Sequence, residues 1–437
     1  MNLNNKKVFA WTQGCKVNQY ETQAMLKILE ESGCKEVDKE KTADVILINS
    51  CTVTTKSDQK LQQNIKRIKK SNPDAVMVLT GCMPQAFPEK ALNLPNIDII
   101  LGNSKRRDIA TKINNFFEKK SKIFGITPHF RTSSFENLEI KHFGKKTRAF
   151  LKIEDGCNQF CSYCIVPVAR GRVRSKTLRK ILIEAKQIAS YGHKEIVLTG
   201  INLSSYGEDF KNINIMDAIK TVGLVKKIKR IRLSSLEPRI ITQEFLDKLQ
   251  TENKFCDFFH LSLQSGCNRI LRAMNRKYTN EEYYRTVEKI LDVFPDCSIS
   301  TDIIVGFPSE SEEDFEETLN FARKINFSNI HIFKYSQRKG TAASNFVDDI
   351  SSQEKSQRSK RLEKLAKELK KNFLKKQLQK EKFVLFESKQ NNLFFGYTKN
   401  YVKVALKSDK NLQGKILKVL LNGFNDDKKP FLSAKII

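Results

Sequence analysis

Three cysteines in a C-x3-C-x2-C triplet, Cys157, Cys161 and Cys164, follow at once on an apolar, strand-like run, Arg148–Glu154. Three thiolates this close can hold three irons of a [4Fe–4S] cluster, while no near neighbour can hold the fourth. That iron is left open to another ligand. A structural zinc site is the competing reading, but zinc takes four ligands. The next histidine is His193 and the next cysteine Cys256, too distant to complete a zinc spacing.

The strand before the triplet opens a longer series. Apolar runs at Glu195–Thr199, Arg230–Ser235, Phe258–Gln264, Ser298–Val305 and Asn329–Tyr335 alternate with helical periods such as Thr177–Tyr191, Asn280–Val293 and Glu310–Lys324. Six β/α units over residues 148–350 predict an incomplete TIM-like barrel with its site at the strand carboxyl ends. Strand alternation predicts the lining. His260, Ser262 and Gln264 share one face, as do Ser298, Ser300 and Asp302, so these point inward. Phe259, Leu261 and Leu263 then lie under the outer helices.

Residues 1–120 read as a separate parallel α/β domain. Its strands are expected at Lys7–Thr12, Val45–Asn49, Ala75–Thr80 and Ile97–Leu101, and its helices near Gln19–Ser32, Thr55–Lys70, Pro84–Leu92 and Lys105–Lys119. Cys15, Cys51 and Cys82 follow the first three strands, 36 and 31 residues apart. Parallel strands place their carboxyl ends on one edge, so the three cysteines are predicted to converge as a second candidate cluster site. A lone cysteine is commonly a small buried hydrophobe. Three in the same relation to successive strands are not explained that way.

Residues 121–147 have weak periodicity and many polar side chains, and read as a linker. Residues 351–382 carry strong helix formers and predict a long basic helix. Over residues 383–437 the pattern changes to five short β runs, Phe383–Glu387, Leu393–Thr398, Tyr401–Leu406, Lys415–Leu421 and Pro430–Ile436. These predict a small OB-like barrel, a common shape for RNA-binding modules. The formal net charge is +29, and from Ser351 onward 22 Lys and Arg stand against 8 Asp and Glu. About half of the excess therefore sits in the last fifth of the chain, the footprint of a polyanion binder. A shorter basic run past the triplet, Arg170, Arg172, Arg174 and Lys176, is a candidate phosphate clamp. Met1–Gln13 lacks the apolar core of a signal peptide, and no run is long enough to span a bilayer. Ten cysteines then point to reduced thiols and metal ligation in the cytoplasm, with no membrane partner.

Together these segments resemble a known family, the radical S-adenosylmethionine (SAM) methylthiotransferases. The resemblance covers nearly all 437 residues in one order: a methylthiotransferase N-terminal domain, a radical SAM barrel and a C-terminal TRAM domain. Its carriers are Gly14-Cys-Lys-Val-Asn18, Asn49-Ser-Cys-Thr52, Thr80-Gly-Cys82, Gly156–Cys164 with Pro167 and Arg170-Gly171, and His260-Leu-Ser-Leu-Gln-Ser-Gly266. Asp302-Ile-Ile-Val-Gly-Phe-Pro308 and Tyr335-Ser336 with Gly340-Thr341 complete it. The departures are mild: Cys267 stands where relatives often carry Ser, and Val168 where an aromatic residue is usual. Gly14–Thr22 and Pro167-Val-Ala-Arg-Gly171 look most like the branch acting on N6-threonylcarbamoyladenosine at tRNA position 37. The sister branches act on isopentenyladenosine in tRNA or on an aspartate of a ribosomal protein.

The resemblance implies two [4Fe–4S] clusters. Cys15, Cys51 and Cys82 would hold an auxiliary cluster carrying the sulfur, and Cys157, Cys161 and Cys164 the catalytic cluster that cleaves SAM. One SAM would methylate the sulfur, and a second would yield the radical that takes hydrogen from C2 of the adenine. An aromatic C–H beside ring nitrogens has no useful acidity, so a general base would fail where a radical succeeds. Gln264, Ser265, Asp302 and Glu237 are expected to contact SAM, and Arg276 to meet its carboxylate. The expected partners are tRNA, a sulfur donor and an electron donor, acting on a monomer. A reading from another class is a non-catalytic, metal-containing RNA-binding protein that uses its basic C-terminal part alone.

Overall fold

The computed structural model describes residues 3–129, 134–140, 143–144, 146–426 and 430–437. Six strands, β1 (Lys7–Thr12), β2 (Lys35–Glu36), β3 (Val45–Ser50), β4 (Val76–Gly81), β5 (Ile99–Leu101) and β6 (Ile123–Gly125), form one parallel sheet in the order β2-β1-β3-β4-β5-β6. β3 and β4 are buried at every position, which is why they read as nearly unbroken apolar runs. The helix after β3, Thr55–Ser71, starts where the Thr54 side chain accepts the Ser57 N–H, and it buries Leu61, Ile65 and Ile68 on one face.

Three features of this region differ from the sequence reading. The helix expected over Pro84–Leu92 breaks at Phe87 into Cys82–Ala86 and Pro88–Leu92, because a residue preceding proline is pushed out of helical backbone. β2 is two residues long, too short to leave a pattern. β6 lies in the stretch read as a linker, yet it adds the sixth strand of the sheet. The rest of that stretch is not a bare connection either: Leu138, Ile140 and Phe143 are buried in the core of the central barrel. Within it, residues 130–133, 141–142 and 145 lie outside the described residues.

The central strands are β7 (Arg148–Lys152), β10 (Glu195–Thr199), β11 (Arg230–Leu233), β12 (Ser235–Leu236), β13 (Phe258–Leu261), β14 (Ser298–Val305) and β15 (Asn329–Lys334), with an antiparallel pair, β8 (Glu154–Asp155) and β9 (Arg174–Ser175), beside β7. Parallel pairing runs β7-β10-β11 and, past Ser234, β12-β13-β14-β15. The alternation holds. Phe259, Leu261 and Leu263 are fully buried in the core under the helices, while His260 Nδ1 lies 2.9 Å from Ser300 Oγ and its Nε2 lies 3.2 Å from Asp302. β13 stops at Leu261 rather than Gln264. Gln264 adopts left-handed backbone (φ +74°) and meets β14 only through a bridge to Ile303.

The C-terminal helix, Ser352–Lys375, ends short of the expected residue 382, because the chain turns at Gln379 (φ +62°) and Glu381 opens a strand. β16 (Glu381–Gln390), β17 (Leu393–Thr398), β18 (Lys403–Lys407), β19 (Ile416–Asn425) and β20 (Phe431–Ile436) close a barrel in the order β16-β17-β18-β20-β19. It docks where the central strands begin. Arg230 donates to the Tyr397 and Phe383 carbonyls at 2.8 and 2.6 Å, Arg232 to the Lys399 carbonyl at 2.8 Å, and Arg148 to the Tyr401 hydroxyl at 3.1 Å. No described helix is long and apolar enough to cross a membrane.

The N-terminal sheet and the central barrel are clasped by buried charge. Glu21, on helix Lys16–Glu31, is fully buried and meets Arg170 at 2.7 Å, Lys152 at 2.7 Å and Arg106 at 3.2 Å. Asp155 takes Lys152 at 2.6 Å, Arg170 at 3.1 Å and Arg174 at 3.4 Å. A second seam pairs Arg338 with Asp58 at 2.7 Å and the Thr55 N–H with Ser336 Oγ at 2.9 Å. Burial alone would raise the Glu21 carboxyl, but Arg106, Arg170 and Lys152 outweigh it and hold it at about 2. Removing one member of such a cluster strands buried charge at a cost of about 3–5 kcal/mol. Glu21→Ala is accordingly expected to lower stability by that amount in denaturant titration. Because the folded-state value lies below the unfolded one, the contribution of Glu21 is complete above about pH 4.3 and is lost as pH falls toward about 2. The difference in stability between wild type and Glu21→Ala should shrink across that window.

Candidate functional site

The loop carrying Cys157, Cys161 and Cys164 is pinned on both sides. The Cys157 N–H donates to the Gly171 carbonyl at 3.0 Å, and Ser162 donates through N–H and Oγ to the Met274 and Ala273 carbonyls. Gly156 opens the loop with φ +87°, and a Cβ there would lie 1.9 Å from the Arg172 carbonyl oxygen, so only glycine fits. Arg276 Nη1 lies 3.2 Å from Cys161 Sγ, and its Nη2 donates to Glu237 at 2.6 Å. Burial, then the neighbouring Cys161 thiol, pushes Cys164 up to about 12, and burial does the same to Cys157. Such thiols hold their protons near neutral pH until a metal displaces them.

Cys15, Cys51 and Cys82 do converge at one edge of the N-terminal sheet. Cys15 stands at the start of helix Lys16–Glu31, Cys51 just past β3, and Cys82 at the start of the short helix after β4. A Cβ on Gly14 would sit 2.9 Å from the Cβ of Cys51, so this glycine lets the first loop close on the second. The Cys51 thiol is pushed up to about 12 by burial and then by the nearby Cys82 and Cys15. Arg170 Nε reaches Cys82 Sγ at 3.4 Å, and its Nη2 donates to Asn18 Oδ1 at 2.8 Å, itself 3.6 Å from Cys15 Sγ. Arg170 and the carbonyl of Gly171 thus touch both trios.

The donor sets bear on whether a single ion could sit at either trio. Sulfurs sharing one zinc at about 2.3 Å each would lie about 3.8 Å apart. Among the described residues, only His260, Asp302 and His331 bring three ligand atoms within 4.8 Å of one another. In neither cysteine trio do all three sulfurs lie within 4.8 Å of one another, as one zinc ion would require.

A cavity of about 180 Å3 lies beside Cys164. It is lined by Tyr163, Gln264, Asp302 and Phe333 from the barrel, and by Val53 and Thr54 from the loop that carries Cys51. Gln264 and Asp302 therefore stand where a cofactor would be met. Glu237 and Arg276 neutralise each other and reach the site through the Cys161 sulfur. Ser265 does not fit its expected role: it is buried, with Oγ 3.2 Å from Thr318 Oγ1 and accepting the Cys267 N–H, so it fastens a turn.

The expected phosphate clamp is also corrected. Arg170, Arg174 and Lys176 are buried, the first two in the clasp and Lys176 against Glu184. β9 and its pairing with β8 fold the run inward, and Arg172 alone of the four is exposed. The sequence reading missed Asn18, Glu21, Asn103, Lys16 and His331. Asn18 and Glu21 are polar residues on the buried face of an amphipathic helix, a signal open to helical-period analysis. Asn103, which donates to the Ala169 carbonyl at 2.9 Å with Nδ2 3.6 Å from Cys82 Sγ, left none.

Comparison with known proteins agrees with this geometry. The chain matches the Radical SAM superfamily over residues 151–322 and the Uncharacterized protein family UPF0004 over residues 7–102. It is 39% identical to a threonylcarbamoyladenosine tRNA methylthiotransferase of Bacillus subtilis, covering 93% of this chain and 92% of that protein. It is 38% identical to the enzyme of the same name from Aquifex aeolicus, covering 95% and 100%. A tRNA-2-methylthio-N(6)-dimethylallyladenosine synthase of Caldicellulosiruptor saccharolyticus is 36% identical, covering 96% and 90%. Among solved structures, the radical SAM methyltransferase TsrM of Kitasatospora setae shares the fold, with a TM-score of 0.56 at 13% identity over 76% of this chain and 75% of that one. With two cysteine trios at facing edges and relatives above 30% identity along nearly the whole length, the chain belongs to the radical SAM methylthiotransferase family.

Proposed function

We propose that this protein methylthiolates C2 of N6-threonylcarbamoyladenosine at position 37 of tRNA. The observation that carries the reading is the cavity beside Cys164, walled on one side by the barrel and on the other by the loop of Cys51. A substrate adenine held there would lie against Cys164 of one trio and against Val53, two residues past Cys51 of the other. Bound at Cys157, Cys161 and Cys164, a [4Fe–4S] cluster with SAM would supply a radical able to take the C2 hydrogen, and a second cluster at Cys15, Cys51 and Cys82 would supply the sulfur.

The rest falls to the chain's own side chains. Gln264 and Asp302 offer a polar wall to the cofactor, while Val53, Ile304 and Phe333 offer an apolar wall to the adenine. Arg276, held by Glu237, directs an N–H at the Cys161 sulfur, and Arg170 does the same at Cys82. The basic C-terminal helix and barrel supply the long-range attraction for tRNA.

Lys16 supports the choice among branches. It follows Cys15 directly, and its ammonium is drawn down to about 8 by burial and by Arg148 and Arg232 nearby, with Asp302 opposing. An amine within electrostatic reach of Asp302, which lines the cavity, suits a threonylcarbamoyl group, which ends in a carboxylate, better than an apolar dimethylallyl tail. A non-catalytic RNA-binding role would leave two sulfur trios and the arginines that touch them without purpose.

In cells whose only copy carries Cys161→Ala or Cys51→Ala, tRNA nucleosides should lose 2-methylthio-N6-threonylcarbamoyladenosine and retain its unthiolated precursor; persistence of the product overturns the assignment. Lys16→Gln is expected to raise KM for a threonylcarbamoyl-bearing anticodon stem-loop about tenfold or more, with a smaller change in kcat. Steady-state kinetics on that RNA measures both.

A further inference from the structure

We infer that Phe160 and Arg172 form a stacking platform for a base of the tRNA loop outside the reacting adenosine. The inference rests on tRNA being the substrate. Phe160 lies between Cys157 and Cys161, and its backbone is left-handed at φ +48°, a region an aromatic residue rarely enters. The loop holds it there, with the Phe160 carbonyl accepting Asn275 Nδ2 at 2.9 Å. The strain does not serve packing, because the side chain is 44% exposed. The Arg172 guanidinium covers the ring at 4.4 Å, and among the described residues it is committed to no carboxylate.

The pair borders a groove of about 670 Å3, walled by Pro88, Phe124, Ile126 and Val168. Phe124 and Val168 are each 45% exposed. A groove of this size admits one or two nucleotides. An aromatic ring with a stacked guanidinium is the usual means of holding a base splayed from a single-stranded loop, and the cation can serve a phosphate as well. A docking face for an acidic electron-donor protein would share the charge but would not call for a concave, aromatic-lined slot.

Anisotropy with a labelled, threonylcarbamoyl-bearing anticodon stem-loop tests this on the full, anaerobically reconstituted protein. Phe160→Leu should weaken binding about tenfold, with iron and sulfide content unchanged, and Phe160→Trp should restore wild-type affinity. Arg172→Gln should weaken binding and reduce the slope of log K against log salt by about one, which Phe160→Leu should not. Wild-type affinity in an iron-replete Phe160→Leu protein overturns the inference. So does unchanged RNA affinity together with slower reduction by an acidic electron-transfer protein, which would make the groove a reductant's docking face. If Phe160→Leu loses iron, Arg172→Gln decides alone, and unchanged affinity sinks the platform. Failure of the wild-type protein to bind the stem-loop would instead refute the tRNA reading itself.

Discussion

A carboxylate removed from water survives as an ion only where cations meet it, and Glu21 meets three. They come from different parts of the chain: Arg106 from the N-terminal domain, Lys152 from the first barrel strand, and Arg170 from the helix just past the cysteine triplet. None can leave without stranding the others. The edge of the N-terminal sheet is therefore locked to the cysteine loop of the barrel, and the cavity beside Cys164 lies where the two parts meet, next to the second seam at Thr55 and Ser336. Glu21, Asp155 and Glu136 face Arg106, Lys152, Arg170 and Arg174, four cations against three anions. The surplus positive charge lies beside Cys82, where a thiolate-bound cluster would bring negative charge.

Arg170 shows how scaffold and chemistry share one side chain. Its guanidinium is spent on Glu21, Asp155, Asn18 and the sulfur of Cys82, while the next carbonyl in the chain fixes Cys157. A residue in that position reports any shift between the two halves directly to both trios. Arg276 plays the corresponding part on the far side of the triplet, held by Glu237 and touching Cys161.

Much of this was legible in the chain because it depends on short-range pattern. Strands β1, β10 and β14 begin and end where the apolar runs do, and polar alternation in β13 and β14 correctly turned His260, Ser300 and Asp302 inward. The convergence of Cys15, Cys51 and Cys82 followed from parallel topology alone. What was hidden depends on long-range pairing. Charge along a sequence carries no mark of burial, so Arg170, Arg174 and Lys176 read as a surface run although β8 and β9 fold them inside. Ser265 looked like a strand-end ligand because nothing local announces its partner Thr318, fifty-three residues on. β6 was lost in a polar stretch since three residues set no period.

The central claim is that each sulfur trio holds its own cube of iron. Mössbauer spectroscopy with iron and sulfide counts, on oxygen-free reconstituted protein, tests it most directly. The account predicts about eight irons per chain in two four-iron clusters, and about four in a variant with Cys15, Cys51 and Cys82 all changed to alanine. A wild-type chain that saturates at a single cluster, or an unaltered count in the triple variant, would contradict it.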